Sequence, residues 1–351
     1  TRKDHWNEVA LEIYYQPGHE YDLDEMMNGM KDALSYYSKN FTPYQFRQAR
    51  IIEFPNYATF AQSFPNTIPY SENIGFIARV NPAKADDVDY PYYVTAHEIA
   101  HQWWAHQLIG GNVQGVTLLD ETLAQYSALM VMKAKFGAPK MRRFLKYELD
   151  QYLMGRSMEQ QKEVPILRVE NQQYIHYNKG SLVMYALQDY IGEERVDQAL
   201  KSLLLQWQFK GPPYPNANAL LDELKKVTPP DMHYLLHDLF ETITLYDNRA
   251  QTAVAKKLPD GRYELTLEVS AKKMQAGEQG DEKEVPVDDY IDIGALDADG
   301  NAMAIQREKM KSGSAQFKLV VDKLPAKAGI DPLNMLIDRH PDDNVVAVTL
   351  P

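Results

Sequence analysis

The chain has 351 residues, 44% hydrophobic and 25% charged, which is too long for one comfortable core and suits two soluble globular domains. Its 37 Lys and Arg against 49 Asp and Glu leave a net charge of −12, a poor balance for nucleic-acid binding. With no cysteine there is no disulfide, no thiolate nucleophile and no cysteine-ligated zinc.

NEVALEIYYQ (7–16) alternates and is rich in β-formers, so it predicts a strand. YDLDEMMNGMKDALSYYSKNF (21–41) carries apolar residues at helical spacing with acids in its first turn. RQARIIEFP (47–55) reads as a short buried strand ended by Pro55, and SENIGFIARV (71–80) as another, with Gly75 marking close approach of a second backbone. After the acids Asp86, Asp87 and Asp89, Pro91 opens a helix expected to reach Ile109 and stop at Gly110 and Gly111. Thr117 and Asp120 suggest a capping box, so a second helix is expected from there to about Phe136. Mostly helical patterns follow to about residue 242, over 138–153, 179–191, 194–206 and 216–226.

The pattern changes near Asn248. YELTLEVSAK, DDYIDIGALD, AQFKLVVDK and NMLIDR alternate or form short apolar runs, separated by turn signals at 259–261, 278–284 and 297–300. This predicts an all-β sandwich over 248–351, after a first domain of 1–247 that divides into sheet and helices (about 1–155) and a helical lobe (156–247). The fold class is therefore α+β. No apolar run approaches the ~20 residues of a membrane span. The opening TRKDHW has neither Met nor an apolar signal core, so a processed product or a piece of a longer protein is expected.

The chemistry concentrates in VTAHEIAHQWW (94–104). His97 and His101, four residues apart on a helix, share one face and can hold one zinc ion. Glu98 is rotated away and can address a water rather than the metal. This is the H-E-x-x-H arrangement of zinc peptidases. A hydrolytic site needs a third protein ligand and an open position. Glu121 is the natural candidate, because the glycine-rich loop 110–115 lets its helix fold back on the first. Other features have plainer readings. His106 is turned off the metal face, His176 reads as packing, and His233 with His237 as one face of an ordinary helix. Trp103 and Trp104 read as core, and Asp86, Asp87 and Asp89 as caps of the metal helix.

HEIAHQWW followed by LLDET resembles the gluzincin metallopeptidases of the aminopeptidase N type, whose pattern is H-E-x-x-H, eighteen residues, then Glu. Here nineteen residues, 102–120, precede Glu121, and the extra one is placed in the glycine loop. Asp120 at eighteen is the alternative ligand. The parallel of LLDETLAQY with the family's Leu-Asn-Glu stretch favours Glu121. YNKGSLVMYAL (177–187) is similar to the family's Tyr-x-Lys-Gly segment, which implies that the Tyr177 hydroxyl stabilises the tetrahedral intermediate. PYSENIGFIARV (69–80) resembles the Gly-x-Met-Glu-Asn strand, with Pro69 and Ser71 replacing glycine and methionine. That likeness implies Glu72 as the grip on a substrate's free amine, with Asn73 and Gly75 beside a peptide lying as an added strand.

The resemblance covers about residues 10–245 and implies a thermolysin-like zincin domain, one catalytic Zn2+, Glu98 as general base and a peptide substrate. An aminopeptidase is the leading reading. A zinc endopeptidase with an open cleft, or a peptide-sensing or coupling domain of a membrane transporter, are the rivals. YSENIGFIARV and the ending IDRHPDDN are most similar to the peptidase portion attached to bacterial ABC-type transporter permeases. That likeness implies a membrane segment upstream of this chain, and so a membrane-tethered full-length protein.

Overall fold

A computed structural model describes residues 1–80 and 89–351. It falls into two compact units, Thr1–Phe144 with Ile166–His233, and Leu145–Pro165 with Tyr234–Pro351. Residues 145–165 and 234–247, read from sequence as part of the first domain, thus group with the C-terminal strands. The reasons are local: the Glu163 N–H donates to the Glu278 carbonyl, Arg156 pairs with Glu163 and Glu282, and the first strand of that region begins at Ile243.

The first unit opens with a four-stranded sheet of β1 (Arg2–Trp6), β2 (Val9–Tyr14), β3 (Gln48–Phe54) and β4 (Thr67–Ser71), in that spatial order. β1 runs antiparallel to β2, while β2, β3 and β4 are parallel. Helix α1 (Leu23–Asn40) buries Met26, Met27, Met30, Ala33, Leu34 and Tyr37, a stripe at helical spacing, and packs on α2 (Tyr90–Ala100). Gly29 permits that approach, since a Cβ there would stand 3.0 Å from the Tyr92 carbonyl and 3.2 Å from Thr95. The buried Tyr37 hydroxyl donates to the Ala96 carbonyl at 2.9 Å, one residue before the first histidine of the motif.

Asp89 caps α2 through the Tyr92 N–H, with Pro91 in the first turn, as expected; Asp86 and Asp87 lie outside the described residues. The helix ends at His101 rather than at Ile109. The indoles cause this. Trp103 Nε1 donates to the Thr42 carbonyl at 2.8 Å and Trp104 Nε1 to Ser127 Oγ at 2.9 Å, both rings fully buried, and Ala105 takes φ +119°. Each such ring contributes about 2–3 kcal/mol of apolar burial, enough to override helix continuation. Chain return is made by a π-helical turn, Leu118–Thr122, leading into α3 (Leu123–Phe136). The expected capping box does not form, because Thr117 Oγ1 donates to the Glu170 carbonyl instead. After α4 (Ala138–Met158), a second π-turn (Tyr174–Lys179) runs into α5 (Gly180–Ile191), followed by α6 (Glu193–Trp207) and α7 (Ala217–Val227).

The strand expected over 71–80 is corrected. β4 ends at Ser71 and residues 72–77 curl, held by Ile74 N–H to the Ser71 carbonyl and Ile77 N–H to the Glu72 carbonyl.

In the second unit, β5 (Ile243–Lys257), β6 (Tyr263–Ala276), β7 (Glu282–Val285), β8 (Asp288–Leu296), β9 (Ala302–Lys311), β10 (Gly313–Val321), β11 (Lys327–Ile330) and β12 (Val345–Ala347) form two four-stranded antiparallel sheets. One has the order β10-β6-β5 with β7 beside β6, and the other β12-β11-β8-β9. Leu265, Leu267, Val269, Ile291, Ile293 and Ile330 fill the interior. The turns at 259–261 and 297–300 fall where expected, while the one expected over 278–284 is confined to its first residues because β7 begins at Glu282. NMLIDR does not form a strand. Instead the buried Asp331 carboxylate accepts the Met335 and Leu336 N–H groups and holds it as a loop.

Candidate metal centre

α2 presents His97 and His101 one turn apart, 7% and 8% exposed. Their Nε2 atoms face each other at 3.2 Å, and Glu121 Oε2 stands 3.4 Å from each. Three ligands on a tetrahedral zinc with bonds of ~2.05 Å would be roughly 3.3 Å apart, so the triangle has the size that zinc requires. His101 Nδ1 lies 3.0 Å from the Trp104 carbonyl, a partner that leaves Nε2 bare toward the centre. Glu121 Oε2 is buried and makes no hydrogen bond of good geometry, facing only the two imidazole nitrogens, a costly setting for a carboxylate oxygen unless a cation fills the triangle. Without one, burial would lower His101, yet the Glu121 carboxylate beside it holds its proton up to about 9. The donor chemistry, two imidazoles and one carboxylate, is that of a zinc site.

Glu121 lies within the π-turn Leu118–Thr122. A π-turn takes in one residue more than an α-turn, and such turns concentrate at functional sites. The π-turn thus sets Glu121, separated from His101 by nineteen residues, against the two histidines. Asp120 turns aside, and its Oδ1 accepts the Glu121 N–H at 2.7 Å.

Glu98, 6% exposed, is pushed above the ordinary carboxyl range by burial and by the Glu121 charge, against the pull of His97 and His101; a Ser63 backbone N–H supports its charged form. Tyr177 sits in the second π-turn with its ring 5.9 Å from that of His97. Burial, then the charge and hydrogen bond of Glu121, raise its phenol far above the usual range, so it remains a donor. The two π-turns touch, with Thr122 Oγ1 donating to the His176 carbonyl at 2.6 Å. Gly180 allows this, because a Cβ there would stand 2.7 Å from Thr122 Oγ1 and Cγ2. Gly180→Ala is expected to cost about 1–3 kcal/mol through overpacking, read as a lower urea midpoint; an unchanged midpoint would show that Thr122 gives way freely.

His176, which its sequence context marks as packing, has its ring 4.3 Å from that of Tyr177, and its buried Nδ1 has no hydrogen-bond partner. Burial lowers its pKa to about 4, which keeps it neutral beside the cluster. Its only sequence signal was adjacency to Tyr177. Trp103 and Trp104 are core, as read.

Glu72, Asn73 and Gly75 form their own neighbourhood at the end of β4. Glu72 Oε1 accepts the Asn56 N–H at 3.0 Å, and Asn73 Oδ1 accepts the Ser71 hydroxyl at 2.8 Å. Gly75 closes on a side chain. A Cβ there would stand 2.6 Å from Cε1 of the buried Tyr70 ring, so its bareness serves the curl.

The mixed fold, the H-E-x-x-H helix and the carboxylate beside its two histidines have the layout of a gluzincin-type zinc site. The peptidase family M1 domain matches residues 25–238, more than half of the chain, and the chain belongs to that family. It is similar to endoplasmic reticulum aminopeptidase 2 of Homo sapiens, 24% identical over 212 residues covering 58% of this chain and 22% of that protein. It is also similar to aminopeptidase M1-B of Oryza sativa subsp. japonica, 23% identical over 228 residues covering 61% and 25%. The chain thus spans about a quarter of the length of these curated relatives. Among solved structures it is similar in fold to Legionella pneumophila aminopeptidase A in complex with aspartic acid, with a TM-score of 0.57, 16% identity, and coverage of 94% of this chain and 36% of that one.

Proposed function

We propose that this chain is a zinc-dependent aminopeptidase acting on the N-terminal bonds of peptides. The observation that carries the reading is the triangle of His97, His101 and Glu121 with Glu98 and Tyr177 beside it. Bound zinc supplies a Lewis acid that acidifies a water and polarises a carbonyl. Glu98 accepts the proton of the attacking water, its raised pKa making it a stronger base than a surface carboxylate. It then delivers that proton to the leaving amine. The Tyr177 hydroxyl donates to the oxygen that becomes negative on the substrate. Glu72 receives the ammonium group of the peptide's first residue, a charge-assisted contact that blocked peptides lack. With 72–77 curled, the peptide is anchored at the end of β4 rather than laid along a strand of those residues.

The test is hydrolysis of aminoacyl arylamides and of matched N-acetylated peptides, with and without chelator. Free substrates cut in a chelator-sensitive manner support the reading. Equal cutting of blocked peptides overturns the exopeptidase assignment, and activity indifferent to metal overturns the reading entirely. Tyr177→Phe is expected to lower kcat by ~10²-fold, the usual scale for one oxyanion donor, with KM little changed; an unaltered kcat would remove Tyr177 from the chemistry.

We further propose that the domain belongs to a longer, membrane-tethered polypeptide of the transporter-permease kind, a reading supported by the likeness of YSENIGFIARV and IDRHPDDN to such peptidase portions. No helix among the described residues is itself long and apolar enough to cross a membrane.

A further inference from the structure

A second convergence of metal-ligating side chains lies at the C-terminal ends of the three parallel strands. His19 follows β2, Glu53 is the penultimate residue of β3, and Glu72 directly follows β4. Ligands of open parallel sheets bind outside the carboxyl ends of the strands. The side chains meet there because the β3–β4 register sets Glu53 beside Tyr70, two residues before Glu72, while Gly18 at φ +92° turns the chain leaving β2 back toward them.

The geometry is convergent. One ligand atom from each residue falls within 4.8 Å of the other two. His19 Nδ1 lies 2.5 Å from Glu53 Oε1 and 3.9 Å from Glu72 Oε2. Each carboxylate is held by a backbone N–H on its other oxygen, Glu53 by Gln16 and Glu72 by Asn56. The oxygens aimed at His19 are thus oriented by their partners, as metal ligands are. The Glu53 side chain is only 1% exposed, an expensive place for a carboxylate without a cation. Among the described residues, His19 is the cationic group within ion-pair distance of either carboxylate, so one proton on its ring leaves the second negative charge uncompensated.

We propose that His19, Glu53 and Glu72 form a second divalent-cation site, distinct from the His97–His101–Glu121 centre. One imidazole nitrogen and two carboxylate oxygens are a donor set for zinc or manganese rather than for a thiolate-seeking metal. Occupation requires the close pair to open and the distant one to close, each by less than ~1 Å to reach zinc spacing. His19, 28% exposed on a loop, has the freedom to do so. Because Glu72 is shared, a cation here would exclude a substrate ammonium. This consequence rests on the reading of Glu72 as the amine anchor; the site itself does not.

The experiment is calorimetric titration of the whole chain, stripped with chelator, with zinc alone. Two binding events are expected in the parent. His19→Ala and Glu53→Gln should each abolish the weaker event and retain the tighter one, whose persistence also reports that the buried Glu53 variant has folded. A single event through millimolar zinc in the parent overturns the site, as does a second event that survives both substitutions. If one event is seen and both variants raise KM only for free-amine substrates, the cluster serves the substrate amine and the metal site is refuted. Loss of aminopeptidase activity with two zinc events intact would instead overturn the proposed function and leave this site standing.

Discussion

Glu98→Gln is expected to lower kcat by about 10²–10⁴-fold, the contribution of a general base, while the protein keeps its tight zinc ion and its fold. Glu98 is 6% exposed on α2, between two ligand residues but outside the donor triangle, so the substitution removes basicity without removing a ligand. The amide has nearly the same shape and can still accept from the Ser63 N–H. Burial opposes ionisation of Glu98 more than His97 and His101 favour it, so a neutral amide of the same shape is tolerated at this position. The thermal midpoint should therefore stay close to that of the parent. This separates a chemical defect from a folding defect, which most substitutions in a buried site confound. The measurements are metal content, thermal midpoint and kcat on one preparation. Turnover within tenfold of the parent, with zinc bound, would remove Glu98 as the base and leave the water without a proton acceptor in this site.

What could be read in advance followed the range of the interactions. His97, Glu98 and His101 were legible because an i, i+4 pair on a helix is a local geometry, set by the backbone alone. Glu121 was legible because a glycine loop lets the chain return and because LLDET resembles the family's Leu-Asn-Glu stretch. Its exact setting was not, since the π-turn at Leu118–Thr122 depends on packing against Tyr174–Lys179, more than fifty residues on. The helix end failed for a similar reason. Nothing near Trp103 and Trp104 announces that their indoles will bond to Thr42 and Ser127. In the β region, alternation located β6, β8 and β10 but not the other five strands, and NMLIDR carries a strand-like apolar run. Only Asp331, folded back onto its amides, makes it a loop. His19 and Glu53 had no sequence signal at all. Their meeting with Glu72 is a product of strand order, and the pairing of parallel neighbours whose partners lie 38 residues (Ala10 with Gln48) and 17 residues (Arg50 with Thr67) apart cannot be inferred from spacing.

Removing the third ligand is expected to be the other large perturbation. Glu121→Ala should weaken zinc binding by well over 10²-fold, since even partners that merely orient a ligand are worth about 10–100-fold. In the parent, a bound dication would be balanced by one carboxylate and two imidazoles that stand 3.2–3.4 Å from one another. Without Glu121 the same cation would face two neutral nitrogens and gain a second open position, with Glu98 outside the triangle. A linked stability effect follows. Zinc at a hundred times its dissociation constant stabilises the folded parent by about 2.7 kcal/mol, so the thermal midpoint of the parent should climb on zinc addition while that of the variant stays flat over the same range. Asp120→Ala is the matched control, because its carboxylate is spent on the Glu121 N–H and should leave zinc affinity nearly intact. If Asp120→Ala released the metal and Glu121→Ala retained it, the ligand would be Asp120, the π-turn would have to unwind by one residue to present it, and the donor triangle would be drawn around the wrong carboxylate.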